Sequence, residues 1–218
     1  MNVHSFYRSM AQLTTDNTAD RRSQILSAAM VCFAKRGFHQ TSMHDISAEA
    51  GISVGLIYRY FESKNAVISA MADGHKREIH TLLESARQAP TLLDALEIFF
   101  TAHCCAGERQ LQSAFVVNLY AEGSRNPLIA QLVRDVLNTS ATGVAELIAQ
   151  SPEMRDAPAG MKPQQIAQLI FDTARGALMR DAIENINITP AERRKRQLAV
   201  MRNLWRLLFT HANEPAFA

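Results

Sequence analysis

The chain has 218 residues, 47% of them hydrophobic and 20% charged, with a formal net charge of +2. This is the composition of a globular protein long enough for a sizeable core, which excludes a disordered tail or a fibrous repeat. It also excludes nucleic-acid binding by bulk basicity, so any such contact must rest on a few well-placed donors. Cys32, Cys104 and Cys105 are odd in number and lack disulfide-framework spacing, which points to a reducing cytoplasm. No apolar run is long enough to cross a bilayer, and the first residues lack a signal-peptide pattern.

Residues 1–18 are polar and unpatterned and read as a flexible arm. Arg8, Arg21 and Arg22 are the side chains near this end that could reach a phosphate backbone or a minor groove. Beyond the arm, apolar residues recur at three and four positions nearly everywhere and strand-like alternation does not persist, so the fold class is all-α. Ile25, Ala28, Ala29, Cys32 and Phe33 mark a first helix, with Lys35 and Arg36 in its last turn and Gly37 at its end. Ser42 with Asp45 three residues on is a variant of the capping box and opens a second helix, inside which Ile46 and Ala50 face inward. Gly51 supplies a tight turn, and Ser53 caps a third helix whose first turn, Val54, Gly55 and Leu56, is exposed. The expected core of this three-helix head is Ile25, Ala29, Cys32, Phe33, Ile46, Ala50, Ile52, Ile57 and Phe61. Two helices joined in this way can push the start of the second into a DNA major groove.

Ser63 starts a long fourth helix with Ile68, Met71, His75, Ile79, Leu82 and Ala86 on one face. Thr91 with Asp94 caps a fifth helix, which runs to about Cys105, and a sixth runs from about Gln110 to Glu122. Asn126-Pro127 opens a seventh, a capping residue followed by proline in the first turn, reaching about Gln150. The proline- and glycine-bearing stretch 151–162 is the longest internal loop. Pro163 opens an eighth helix, to about Asn185, and Thr189-Pro190-Ala191-Glu192 is a complete capping box for a ninth. On the ninth helix Leu198, Met201, Trp205 and Leu208 form one apolar stripe, and Leu204, Leu207 and Phe209 add a second. Ala174 and Ala177 on the eighth permit close approach of another helix. The two helices therefore predict a homodimer through a four-helix interface. The basic run Arg193–Arg196 reads as a solvated face beside it.

The segment DISAEAGISVGLIYRYFESK, with Thr41 and Ser42 ahead of it and the Gly37-Phe38 pair closing the preceding helix, resembles the DNA-binding signature of the TetR family of transcriptional regulators. The nine helices, with a small head and a larger body, match that family's architecture. The resemblance implies an arm at 1–18, a helix-turn-helix DNA-binding domain at 19–65 and a ligand-binding and dimerisation domain at 66–218. It further implies that Ser42, Tyr58, Tyr60 and Lys64 hold phosphates, and that His44, Val54, Gly55 and Leu56, at the helix start capped by Ser53, lie nearest the bases. Many family members carry His where this chain has Tyr60; either can donate to a phosphate oxygen.

The function so implied is a ligand-responsive regulator, a repressor released from a palindromic operator by a small apolar or amphipathic molecule. Pocket candidates on the middle helices are Met71, His75, Phe99, His103, Phe115, Asn118, Leu119, Val136, Phe171, Arg175 and Met179. A buried Arg175 would need an acid partner such as Glu122, or an anionic ligand. His103-Cys104-Cys105 offers an alternative, a redox or metal-responsive regulator. Neighbouring helix residues point about 100° apart, however, which disfavours one tetrahedral site. A ligand-independent DNA-binding protein is a further alternative, set against the length of the body. No nucleophile elbow, phosphate loop, zinc-protease motif or dinucleotide fingerprint occurs, so neither an enzyme nor a resident cofactor or metal is expected.

Overall fold

The computed structural model describes residues 17–103, 109–157, 160–184 and 189–209. Among them are nine α-helices and no strand. They are α1 (Asn17–Gln40), α2 (Met43–Ala50), α3 (Val54–Tyr58), α4 (Lys64–Arg87), α5 (Leu92–His103), α6 (Arg109–Gly123), α7 (Pro127–Gln150), α8 (Pro163–Glu184) and α9 (Pro190–Phe209). A short 3-10 turn, Pro152–Asp156, occupies part of the expected loop. Residues 1–16 of the expected arm, Cys104 and Cys105 lie outside the described residues, while Asn17 and Thr18, also expected in the arm, belong to α1.

Local capping chemistry sets the helix starts. Thr91 Oγ1 accepts from the Asp94 amide at 3.1 Å, and Thr189 Oγ1 from the Glu192 amide at 3.2 Å. Asn126 Oδ1 accepts from the amides of Leu128 and Ile129, so the asparagine before Pro127 caps α7. Gly37 takes φ 74 and ψ 165 inside α1, a conformation that costs only glycine little, and the regular helix breaks there.

Two compact units result, one of Met1–Lys76 with Ala106–Val136 and one of Arg77–Cys105 with Leu137–Ala218. Packing thus divides the chain elsewhere than the division by role at residue 65. In the first unit Ile25, Ala29, Cys32, Phe33, Ile46, Ala50, Ile57 and Phe61 are buried, while Ile52 is only half-buried. One long helix and two short ones bury too little surface to stand alone. The same cluster takes in Val67, Ile68 and Met71 of α4 and Ile129 of α7, and Phe115 and Leu119 of α6 pack against it.

Asn118 is placed by this packing too. Its Nδ2 donates to the carbonyls of Phe33 (3.2 Å) and Ala34 (3.0 Å), just ahead of the break at Gly37. The space bounded by Phe33, Phe38, Ile68, Phe115, Asn118 and Leu119 does not admit a water molecule. Expected as pocket wall, Met71, Phe115, Asn118 and Leu119 here close the core of the head.

In the second unit Ile79, Leu83 and Ala86 of α4 are buried and Leu82 is half-buried, so the inward face includes Leu83 where Leu82 was expected. Phe100 is the hub of an aromatic cluster, with ring centroids 5.5 Å from Phe99, 5.2 Å from Phe171 and 5.5 Å from Trp205. The apolar stripe of α9, expected at a subunit interface, packs into this cluster through Trp205. Leu198, Met201, Trp205 and Leu208 are buried within a single chain, Trp205 at 1% exposure, and so is Ala177 of α8. Their apolar surface is already covered by the chain's own helices. Arg175 pairs with Asp172 one turn earlier rather than with Glu122, which instead meets Arg125 at 3.5 Å and Asn126.

Buried Gly143 of α7 lies against Leu83 of α4. A Cβ there would lie 2.0 Å from Leu83 Cδ1 and 3.1 Å from its Cγ. Leu83 is itself 3% exposed and has little room to yield. Gly143→Ala should therefore destabilise, by about 1–3 kcal/mol of overpacking, although alanine favours an open helix position by about 1 kcal/mol. A melting temperature unchanged or raised in Gly143→Ala would show that the helices separate freely.

Candidate nucleic-acid interface

The interface is built from α2 and α3. Ser42 precedes α2 in an extended conformation, and its Oγ accepts from the Asp45 amide at 3.1 Å. Asp45 Oδ2 accepts in return from the Ser42 amide (2.9 Å) and hydroxyl (2.6 Å), which completes the capping box. These bonds, foremost that from the hydroxyl and with Arg36 adding its charge, lower the Asp45 carboxyl pKa to about 2. The Arg36 guanidinium of α1 also pairs with Asp45. The cap therefore stays formed at any pH well above that value.

Gly51 follows α2 at φ 66 and ψ 33, where a side chain would be strained, and the chain turns. Ser53 Oγ then accepts from the Leu56 amide at 3.2 Å and starts α3. Ile57, fully buried, and Phe61, 3% exposed, hold α3 and the turn after it against the core. From behind, α1 grips both ends of this element. Gln24 Nε2 donates to the Ala50 carbonyl at 2.7 Å, and Arg22 Nη1 to the Tyr60 carbonyl at 3.0 Å, with its guanidinium 4.4 Å above the Phe61 ring. Sequence periodicity did not single out Gln24 or Arg22 for this purpose, because a polar residue on a helix gives no sign of the distant carbonyl it will meet.

The outward face is formed by the residues left over. His44, Ser53, Gly55, Tyr58 and Arg59 are exposed, Tyr58 at 52%, and Val54, Leu56 and Tyr60 are half-buried. A Cβ on Gly55 would meet nothing within 4 Å, so the fold itself does not require glycine there. Arg59, absent from the expected contacts, places an exposed guanidinium at the end of α3.

Lys64, expected at a phosphate, lies against the connection between α1 and α2. Its Nζ donates to the carbonyls of Phe38 (2.6 Å), Thr41 (2.7 Å) and His39 (3.2 Å), and lies 4.4 Å from the Phe38 ring centre. Three ammonium protons meet three carbonyl oxygens, and partial burial lowers the pKa of the group.

The pocket candidates fall into two groups. Met71, Phe115, Asn118 and Leu119 belong with the head, and half-buried His75 lies in the same unit. In the other unit His103 stacks on Phe99 at 5.0 Å and meets Phe171 edge-on at 6.3 Å, and Arg175 is paired as described. No cluster of three potential metal ligands occurs among the described residues, nor is any helix among them long and apolar enough to cross a membrane.

A capped helix, a glycine turn and a short helix with an open first turn make a helix-turn-helix, and the protein is a DNA-binding transcriptional regulator. The family model described as bacterial regulatory proteins, tetR family, matches residues 25–71. The regulator UidR of Escherichia coli (strain K12) is 28% identical over 159 residues, covering 72% of this chain and 79% of UidR. The fatty acid metabolism regulator protein of Bacillus subtilis is 26% identical over 153 residues, covering 69% of this chain and 77% of that protein. Among solved structures, GusR of Salmonella enterica has a TM-score of 0.66 at 27% identity, covering 88% of this chain and 99% of GusR. Residues 25–71 thus carry the DNA-binding domain of the tetR family, and the chain is similar to regulators of that kind over most of its length.

Gly55 separates the demands of fold and contact. Gly55→Ala should leave stability unchanged or raise it by about 0.5–1 kcal/mol, the helix preference for alanine. DNA affinity should fall by roughly the 1–3 kcal/mol of one lost base contact, because the added methyl stands off the groove. Full DNA affinity in this variant would remove the start of α3 from the base-reading surface.

Proposed function

We propose that the protein is a repressor that binds a palindromic operator as a homodimer and is released by a small apolar or amphipathic molecule. The outward first turn of α3, held rigidly from behind, is the observation that carries this reading. His44, Val54, Gly55 and Leu56 lie nearest the bases, with Ser53 at their helix start. Ser42, Tyr58, Tyr60 and Arg59 face the backbone phosphates. In this reading residues 19–65 carry the DNA surface and 66–218 the effector and dimer functions. Binding rather than catalysis is the whole activity, exercised in the cytoplasm. The aromatic cluster around Phe100 supports an apolar effector, and the likeness to a fatty acid metabolism regulator supports an amphipathic one.

The dimer surface is the one the chain leaves uncovered. On α8, Leu169 (39% exposed), Thr173, Gly176, Arg180 and Ile183 (80%) recur at alternating steps of four and three residues, the spacing of a helix–helix seam. Leu207 of α9 is 81% exposed. Because Ile183 contributes little to the chain's own core, Ile183→Arg should keep its fold and shift dimers toward monomers in sedimentation. An unaltered dimer would place the interface elsewhere.

For DNA recognition, the purified protein should retain a two-fold symmetric site from a pool of random duplexes. Methylation of guanine N7 should then interfere with binding in two major-groove patches about one helical turn apart. Retention of no preferred sequence, or interference confined to minor-groove positions, would refute the reading.

A further inference from the structure

We propose that the indole N–H of Trp205 is the polar anchor of a ligand site in the second unit. The molecule it takes is apolar and carries an oxygen that accepts a hydrogen bond, such as the carbonyl of a ketone or ester. The inference rests on the effector-released reading above and adds the place of binding and the polar group the effector must bring.

Phe99 and Phe100 of α5, Phe171 of α8 and Trp205 of α9 meet in one cluster, with ring centroids 5.2–6.2 Å apart. None of these residues is more than 4% exposed. The phenylalanine rings carry no polar atom. Trp205 does, and its Nε1 is buried with no hydrogen-bond acceptor among the described residues. A buried donor left unmet lowers stability. The rest of its stripe, Leu198, Met201 and Leu208, is buried on the same helix without any such donor. The indole N–H is thus the one group of the cluster that the fold itself does not use.

Loose seating of α9 does not account for it. Arg202, three residues before Trp205, pairs with Glu97 of α5 through two bonds, Nε to Oε2 at 2.8 Å and Nη2 to Oε1. That pair holds α9 on α5 from the solvent side. Across the cluster, by contrast, the contacts are ring faces and edges, which part at the loss of apolar contact alone. Arg175, one turn beyond Phe171, is taken by Asp172. The indole is uncharged, so it selects an acceptor oxygen and does not require an anion.

Trp205 is the sole tryptophan of the chain, so its N–H gives a single resonance. Trp205→benzothienylalanine, incorporated in place of tryptophan, puts sulfur where the N–H stood and keeps the shape of the ring. Butyrophenone and butylbenzene, which differ by a carbonyl in place of a methylene, would be titrated into the full-length protein by calorimetry and by the indole proton–nitrogen resonance. A wholly apolar site favours the hydrocarbon, because the ketone gives up its hydrogen bond to water. An unmet donor reverses the order. Wild type should bind the ketone about 2- to 12-fold more tightly, the worth of one hydrogen bond. The indole proton should move downfield with the ketone only, and the sulfur-bearing protein should prefer the hydrocarbon. A wild-type preference for the hydrocarbon, an indole signal unmoved by the ketone, the same order of affinity in both proteins, or no binding of either probe would each overturn the proposal. The first two readouts need no substitution and decide the matter even if the sulfur-bearing protein does not fold. Operator affinity is measured alongside. Ketone bound at Trp205 with operator affinity unchanged would support the site and refute release by such a molecule, a failure of the functional reading and not of the anchor.

Discussion

A helix of five residues has no stability of its own, since nucleation alone costs more than one turn of hydrogen bonds returns. Val54–Tyr58 nonetheless has to be in place before DNA arrives, and the rest of the head follows from that constraint. Ile57 and Phe61 anchor it inward, each burial contributing roughly 1.5–3 kcal/mol. Ser53 satisfies its first turn, and Gln24 and Arg22 hold the carbonyls on either side of it. Because stability comes entirely from the inner face and the ends, the outer face is free of structural duty. Gly55 and Tyr58 can be there for what they meet outside the protein.

The same constraint explains why the head does not close on three helices. A core small enough to expose α3 is too small to hold it, and α4, α6 and α7 supply the missing apolar surface. Helices far along the chain thereby acquire a direct grip on the DNA-binding element. Asn118 on the carbonyls of α1 is the polar part of that grip, and Phe115 and Leu119 are the apolar part. A change in the position of α6 would be felt at α1 without any change in the residues that face DNA.

Helix starts were legible because capping is local. Ser42 with Asp45, Thr91 with Asp94, Asn126 with Pro127 and Thr189 with Glu192 each carry their signal within four residues, and each helix begins where that signal stands. Periodicity reports that a face is buried but not against what. The Leu198–Leu208 stripe was therefore as compatible with a partner subunit as with Phe100 and its neighbours in the same chain. Leu82 and Leu83 are adjacent, and the fold turns Leu83 inward, against Gly143. For the polar residues, type was legible and task was not. An amide at 118 or an ammonium at 64 fits a ligand or a phosphate as well as a distant carbonyl, and only the fold brings that carbonyl within reach.

Amide hydrogen exchange in the free protein tests most directly whether α3 is pre-formed by its tertiary contacts. The amides of Ile57 and Phe61, bonded to the carbonyls of Ser53 (3.1 Å) and Ile57 (3.0 Å), are the reporters. If the helix is held as described, they exchange as slowly as the core amides of α1 around Ala29 and Phe33, through opening of the whole head. Exchange of these two amides at nearly the rate of an unstructured peptide, while α1 remains protected, would contradict the account.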